Sequence, residues 1–166
     1  MRPTIDELTV ADTAVAWSAV GFDVDGDTCV VGDVRIRLTG TESGKGLVGW
    51  SVREVGVTEL DGLPTTCSNR PPPSEAPPHR NGVTALDHVV AITPALDRTV
   101  AALQEAGLDL RRIREEPTPA GAPQQAFFRL GANILEVVQE PPEAIERAGG
   151  DHPAFFWGLA FVAPDL

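Results

Sequence analysis

Apolar and polar positions in the second half of the chain alternate in ways that define a series of elements. "LDHVVAIT" (86–93) is dense in β-branched residues and reads as a strand. Thr93 is placed to cap a following helix, with Pro94 in the first turn, where a missing N–H costs nothing. Leu96, Val100 and Leu103 then share one helical face, and Gly107 ends the helix. "LDLRRIREE" (108–116) reads as a strand and "TPAGAP" (118–123) as a turn. "QQAFFRLGANILEVVQE" (124–140) reads as a hairpin turning at Gly131–Asn133. The order is β-α-β-β-β.

The first half repeats that order in reduced form. "IDELTVA" (5–11) is a strand, Asp12 a cap, and "TAVAWSAV" (13–20) a short helix ending at Gly21. "FDVDGD" is a weak strand or turn, and "TCVVGDVRIRLTG" (28–40) is a second hairpin turning at Gly32–Asp33. Setting Gly32 against Gly131 and Asp6 against Asp87 aligns the halves. Each is followed by a further strand carrying tryptophan, "GLVGWSVREV" (46–55) and "FFWGLAFVAP" (155–164). Internal duplication at this length predicts two similar units packed together.

Between the halves, "LPTTCSNRPPPSEAPPHRNG" (63–82) is rich in proline, which fixes its own φ and disfavours helix before it. It reads as an extended, solvated connector, with His79 exposed among the prolines. The expected organisation is a first module over 1–60, a linker over 61–84 and a second module over 85–166. The fold class is α+β.

Composition narrows the partners. A net charge of -11 argues against nucleic acid and anionic membranes, both of which are bound by clustered Lys and Arg. No run approaches the ~20 apolar residues of a membrane span. "MRPTIDELTV" has no apolar signal core, and Cys29 and Cys67 lack metal-type spacing, so the expectation is a cytoplasmic protein with reduced thiols. There is no G-x-S-x-G, phosphate-cradling glycine loop or H-E-x-x-H.

"LDHVVAITPALDRTVAALQEAGL" followed by "AFFRLGANILEVV" resembles the glyoxalase/bleomycin-resistance/extradiol-dioxygenase superfamily, the vicinal oxygen chelate proteins. The resemblance implies two paired βαβββ modules that form a cup from a mixed, largely antiparallel sheet, with helices outside. It also implies a divalent metal (zinc, iron, nickel or manganese) held from the first and last strands of each module. Those positions are His88 and Glu136 in the second module, and Glu7 and Arg37 in the first. Strand alternation turns His88 and Glu136 away from Val89, Ala91, Leu135 and Val137, towards the cup. Arg37 has no acceptor and cannot be a ligand, so an ion pair with Glu7 is the economical reading. By the same parity Arg35 and Thr9 face the cup, while Leu8, Val10, Ile36 and Leu38 face the helix.

Two functions follow. One is a small-molecule-binding protein of bleomycin-resistance type, without a complete metal site, in which Arg37, Arg35, Glu7 and Thr9 contact a polar or anionic ligand. The other is a metal-dependent lyase, isomerase or dioxygenase with His88 and Glu136 as ligands and Glu7 as a weaker third. Trp17, Trp50 and Trp157 are expected in the core or the cup wall, and His152 in a loop. "FVAPDL" (161–166) repeats the form of "AITPAL" (91–96), which suggests either a longer native chain or docking of this strand on a partner chain, as in a homodimer.

Overall fold

The computed structural model of the protein describes residues 2–74 and 76–164. The first half comprises β1 (Thr4–Ala11), α1 (Ala14–Ala19), β2 (Val24–Asp25), β3 (Thr28–Val31), β4 (Val34–Leu38), a 3-10 turn (Thr41–Ser43) and β5 (Gly46–Arg53). A short β6 (Thr65–Ser68) follows. The second half comprises β7 (Ala85–Thr93), α2 (Leu96–Glu105), β8 (Asp109–Arg114), β9 (Gln125–Leu130), β10 (Asn133–Gln139), α3 (Pro142–Arg147) and β11 (Phe155–Val162).

One sheet runs β2-β3-β4-β1-β5-β6 and the other β8-β9-β10-β7-β11, so the halves share one strand order. In each, the first strand lies parallel to the last strand of the βαβββ unit and antiparallel to the tryptophan-bearing strand. The architecture is α+β, two paired modules with mixed, largely antiparallel sheets, as the duplication predicts. Register confirms the alignment of the halves: Leu8 pairs with Ile36 as Val89 pairs with Leu135. Thr9 pairs with Arg37 as Val90 pairs with Glu136.

Both hairpins turn where glycine permits a left-handed backbone, with φ of 60° at Gly32 and 63° at Gly131. Along β4, Val34, Ile36 and Leu38 are buried while Arg35 and Arg37 lie on the other face, the alternation of a half-buried strand. Leu8, Ile36, Val89, Leu135 and Phe128 belong to one continuous core that joins the two halves. The rings of Trp50 and Phe156 meet across it, 5.3 Å between centroids. Helix α2 buries Leu96, Val100 and Leu103 as predicted, and α1 buries none of its residues. No helix among the described residues is long and apolar enough to cross a membrane.

The caps differ from expectation. Thr13, not Asp12, caps α1 by accepting from the Ala16 N–H, while Asp12 accepts from the Thr13 N–H and from the Trp17 indole. Ala95 occupies the α2 cap position, and the Leu96 N–H is taken instead by the side-chain oxygen of Gln139. Thr93 accepts from the Ala95 N–H, two residues too early to cap the helix itself.

The proline-rich segment is not simply a solvated connector. Residues 65–68 add β6 parallel to β5, secured by the Trp50 indole donating to the Thr65 hydroxyl at 2.8 Å. His79 is buried, contrary to expectation, and packs on Phe22. Its Nδ1 accepts from the Asp23 N–H, which leaves Nε2 protonated to donate to the Val30 carbonyl. Cys29 lies 3.8 Å from that imidazole, and burial pushes its thiol up to about 12, so it is an inert core residue. His79→Ala strands both backbone groups and is expected to destabilise the protein by about 1–3 kcal/mol. A drop in the urea midpoint checks this; an unchanged midpoint would show the segment is not anchored there.

At the C-terminus, β11 ends at Val162 and pairs along one edge with β7. The last two residues of the "FVAPDL" repeat lie outside the described residues.

Candidate functional site

The two modules use the same positions differently. In the first, Glu7 and Arg37 form the expected ion pair: Arg37 donates through Nε to Oε1 at 3.0 Å and through Nη2 to Oε2 at 3.2 Å. Arg70, from the segment after β6, donates to the same Glu7 carboxylate at 2.8 Å. Asp6, its side chain wholly buried, accepts from Arg35, Arg53, Arg70 and Ser68. Burial by itself would raise both carboxyls. The Ser68 and Arg70 hydrogen bonds at Asp6, and those of Arg37 and Arg70 at Glu7, more than offset it and hold both below their ordinary values.

Asp6, Arg53, Arg70 and Ser68 do not stand out in the sequence, because strand alternation places Asp6 opposite to Glu7. A register irregularity between Ile5 and Glu7 relaxes that alternation, so one guanidinium reaches both carboxylates. In the first module the arginines are therefore paired with its own carboxylates.

The second module holds an open cavity of about 510 Å³. His88, Val90 and Ile92 enter it from β7, Glu136 and Val138 from β10, and Gln125 from β9. Ala122, Ala144 and Trp157 complete its apolar wall. Trp157 is 68% exposed, Trp17 is half-buried and Trp50 is in the core, so the three tryptophans divide between cup wall and core. Helix α3, which supplies Ala144, was not anticipated, although Pro142 at its first turn and Arg147 at its last are ordinary helix signals.

At the polar end, His88 Nε2 lies 3.7 Å from Glu136 Oε2, beyond hydrogen-bonding distance. His88 Nδ1 is 2.6 Å from the Asp87 carboxylate, to which it donates. Gln125, 8% exposed, donates its amide to Glu136 Oε1. A carboxylate only accepts, so the amide nitrogen must face it, and the amide oxygen remains buried without a partner. At the opposite end, His152 Nε2 approaches Glu140 Oε2 to 2.8 Å but out of hydrogen-bonding alignment. Gln125 was not singled out from sequence. A two-residue turn after Leu130 places it opposite Val138, on the face that also carries Glu136, and that register was the available signal.

The residues of the sequence reading therefore separate. His88 and Glu136 meet at the cavity; Glu7, Arg35, Arg37 and Thr9 do not line it. Thr9 sits beside Arg37 in the β1–β4 ladder. The divalent metal implied by the resemblance finds two candidate ligands here, His88 and Glu136. Glu7 is committed to Arg37 and Arg70. Among the described residues no group of three or more His, Cys, Asp or Glu side chains converges on one point, short of the three protein ligands of a catalytic centre.

No family model matches the chain, and no curated protein matches it in sequence. Solved structures do. A mutant of 4-hydroxymandelate synthase from Streptomyces coelicolor aligns over 99% of this chain and 72% of its own, with a TM-score of 0.60 and 15% identity. A xylose isomerase-like TIM barrel/4-hydroxyphenylpyruvate dioxygenase fusion protein aligns over 98% of this chain, with a TM-score of 0.58 and 14% identity. The chain spans 37% of the length of that fusion protein. Identity at this level carries architecture alone: two paired modules with mixed sheets, consistent with the fold that the sequence resemblance implies.

Proposed function

We propose that the protein binds a small molecule in the cup of its second module, with His88, Gln125 and Glu136 as the polar end and Val90, Ile92, Val138 and Trp157 as the apolar wall. One observation carries this reading. Of two modules with the same strand order, the first pairs Asp6 and Glu7 with four arginines, whereas the second keeps a cavity of about 510 Å³. That volume falls among the ~300–1,000 Å³ typical of small-molecule sites. The arginines offered as contacts for an anion donate to Asp6, Glu7 and Asp27. The ligand is therefore better sought in the second cup than among them.

A second reading, a metal-dependent enzyme, is favoured by the convergence of His88 Nε2 and Glu136 Oε2 on the same cavity. A Lewis-acidic ion there would polarise a bound oxygen. The measurement that separates the readings is metal content of protein purified without a histidine tag. The binding reading expects substoichiometric metal, and His88→Ala weakens ligand affinity by about 0.5–1.5 kcal/mol, the worth of one hydrogen bond. Stoichiometric metal that is lost on His88→Ala would replace the binding reading with the enzymatic one.

A further inference from the structure

We infer that Arg2, Arg111 and Arg129 form a second binding site, for the dianionic phosphoryl group of inorganic phosphate or a phosphate monoester. The site stands apart from the cup lined by His88 and Glu136 and does not depend on it. The three arginines line a cavity of about 500 Å³ together with Gly131 and Ile134. They come from three places in the chain: the segment before β1, strand β8 and strand β9. The β9–β10 turn brings them together. A Cβ at Gly131 would come within 3.0 Å of the Thr4 methyl, so the start of β1 lies directly against the hairpin. Asp109 pairs with Arg129 between β8 and β9, and Arg129 with Ile134 between β9 and β10, which puts these side chains on one face.

The charges of this cluster do not balance. Acidic residues outnumber basic ones 24 to 13, so a carboxylate is the ordinary neighbour of an arginine in this chain. Arg35, Arg37, Arg53, Arg70 and Arg98 each have one at 3.0 Å or closer. Arg2 and Arg111 instead share a single oxygen of Asp109, each through Nη1 at 3.2 Å. Arg129 joins neither pair and has no carboxylate partner among the described residues. No acidic side chain lines the cavity. Three guanidiniums against one carboxylate leave two positive charges, and like charges gathered in one place repel until an anion joins them. A phosphate monoester carries close to two negative charges at neutral pH, and its oxygens match the planar guanidinium fork. A monocarboxylate would leave one charge uncompensated. The net charge of -11 opposes an extended polyanion such as nucleic acid, whereas a single phosphoryl group meets only the local arginines. Ile134 gives the cavity an apolar flank for the organic part of a monoester.

Inorganic phosphate, phenyl phosphate and acetate would be titrated calorimetrically into the whole protein with a metal chelator present. At about pH 7.5 and about 0.1 M sodium chloride, charges more than about 10 Å apart are screened. Phosphate is expected to bind with a Kd at or below about 1 mM, and acetate at least about tenfold more weakly. Tighter binding of phenyl phosphate identifies a monoester as the occupant, and equal binding identifies the free ion. Arg129→Gln alters an exposed side chain without a carboxylate partner, so the thermal transition should stay in place while phosphate affinity falls at least about fivefold. Arg147→Gln makes the same charge change on α3, lines neither cavity, and should alter affinity by less than about twofold. Absence of saturable phosphate binding up to about 10 mM would overturn the assignment. Acetate binding as tightly as phosphate, or equal losses in the two variants, would overturn it as well.

Discussion

Asp6→Ala is expected to destabilise the protein by roughly 3–5 kcal/mol, the usual consequence of removing one partner from a buried ion pair. The Asp6 side chain is fully buried and serves Arg35 and Arg53 at 2.5 Å each, Ser68 at 2.7 Å and Arg70 at 2.9 Å. Arg53 is itself buried, its other donors directed to the carbonyls of Ile5 and Arg70, so without Asp6 its charge stays inside unpaired. The substitution also removes the side-chain link from Ser68 to β1, while β6 keeps its ladder on β5 and Arg70 keeps Glu7. The pH dependence has a definite sign. Asp6 and Glu7 are held below their ordinary values in the folded protein, so the unfolded chain takes up protons first as pH falls. Their contribution is fully present above the unfolded carboxylate range of about 3.9–4.3 and is lost as pH falls through the lower folded values. Urea denaturation from neutral pH down to about pH 3 should show this loss, and Asp6→Ala should lose less over the same range because part of the contribution is already gone. A variant as stable as the parent at neutral pH would mean the cluster does not hold the first module closed.

That cluster also marks where sequence reasoning stopped. The helix face of Leu96, Val100 and Leu103, the glycine turns at 32 and 131, and the duplicated strand order were legible because each depends on residues a few positions apart. The Glu7–Arg37 pair followed from the same alternation once the halves were aligned. Asp6 and Arg70 are 64 positions apart, joined across a strand irregularity by a segment whose composition reads as a loop. Proline content marked 63–82 as a connector and said nothing of what its side chains would find. His79 is buried there because Phe22, Asp23 and Val30 happen to enclose it, a tertiary fact without local signature. His88 and Glu136 were legible as a pair. Their partner Gln125 required the hairpin register, which a one-residue error in the turn would have reversed.

Val138→Trp is expected to abolish ligand binding, with at least about a hundredfold loss, while leaving the fold intact. Val138 faces the cavity between the two carboxylate ends, opposite Gln125, whereas its neighbour Val137 is wholly buried in the core. An indole at 138 therefore grows into empty space and does not overpack the interior, so the thermal transition should move little. Affinity measured for a small aromatic probe, benzyl alcohol, against the parent protein checks this. Retention of binding within about threefold would place the ligand elsewhere.

The central claim is that the second module's cup is the binding site and the first module's arginines are paired with its own carboxylates. Backbone amide shifts on titration with benzyl alcohol test it most directly, since both modules report in one experiment. Saturable shifts are predicted at Val90, Ile92, Gln125 and Val138, with residues 6, 7, 35 and 37 unmoved. Shifts concentrated at Glu7, Arg35 and Arg37, with the second module silent, would contradict the account.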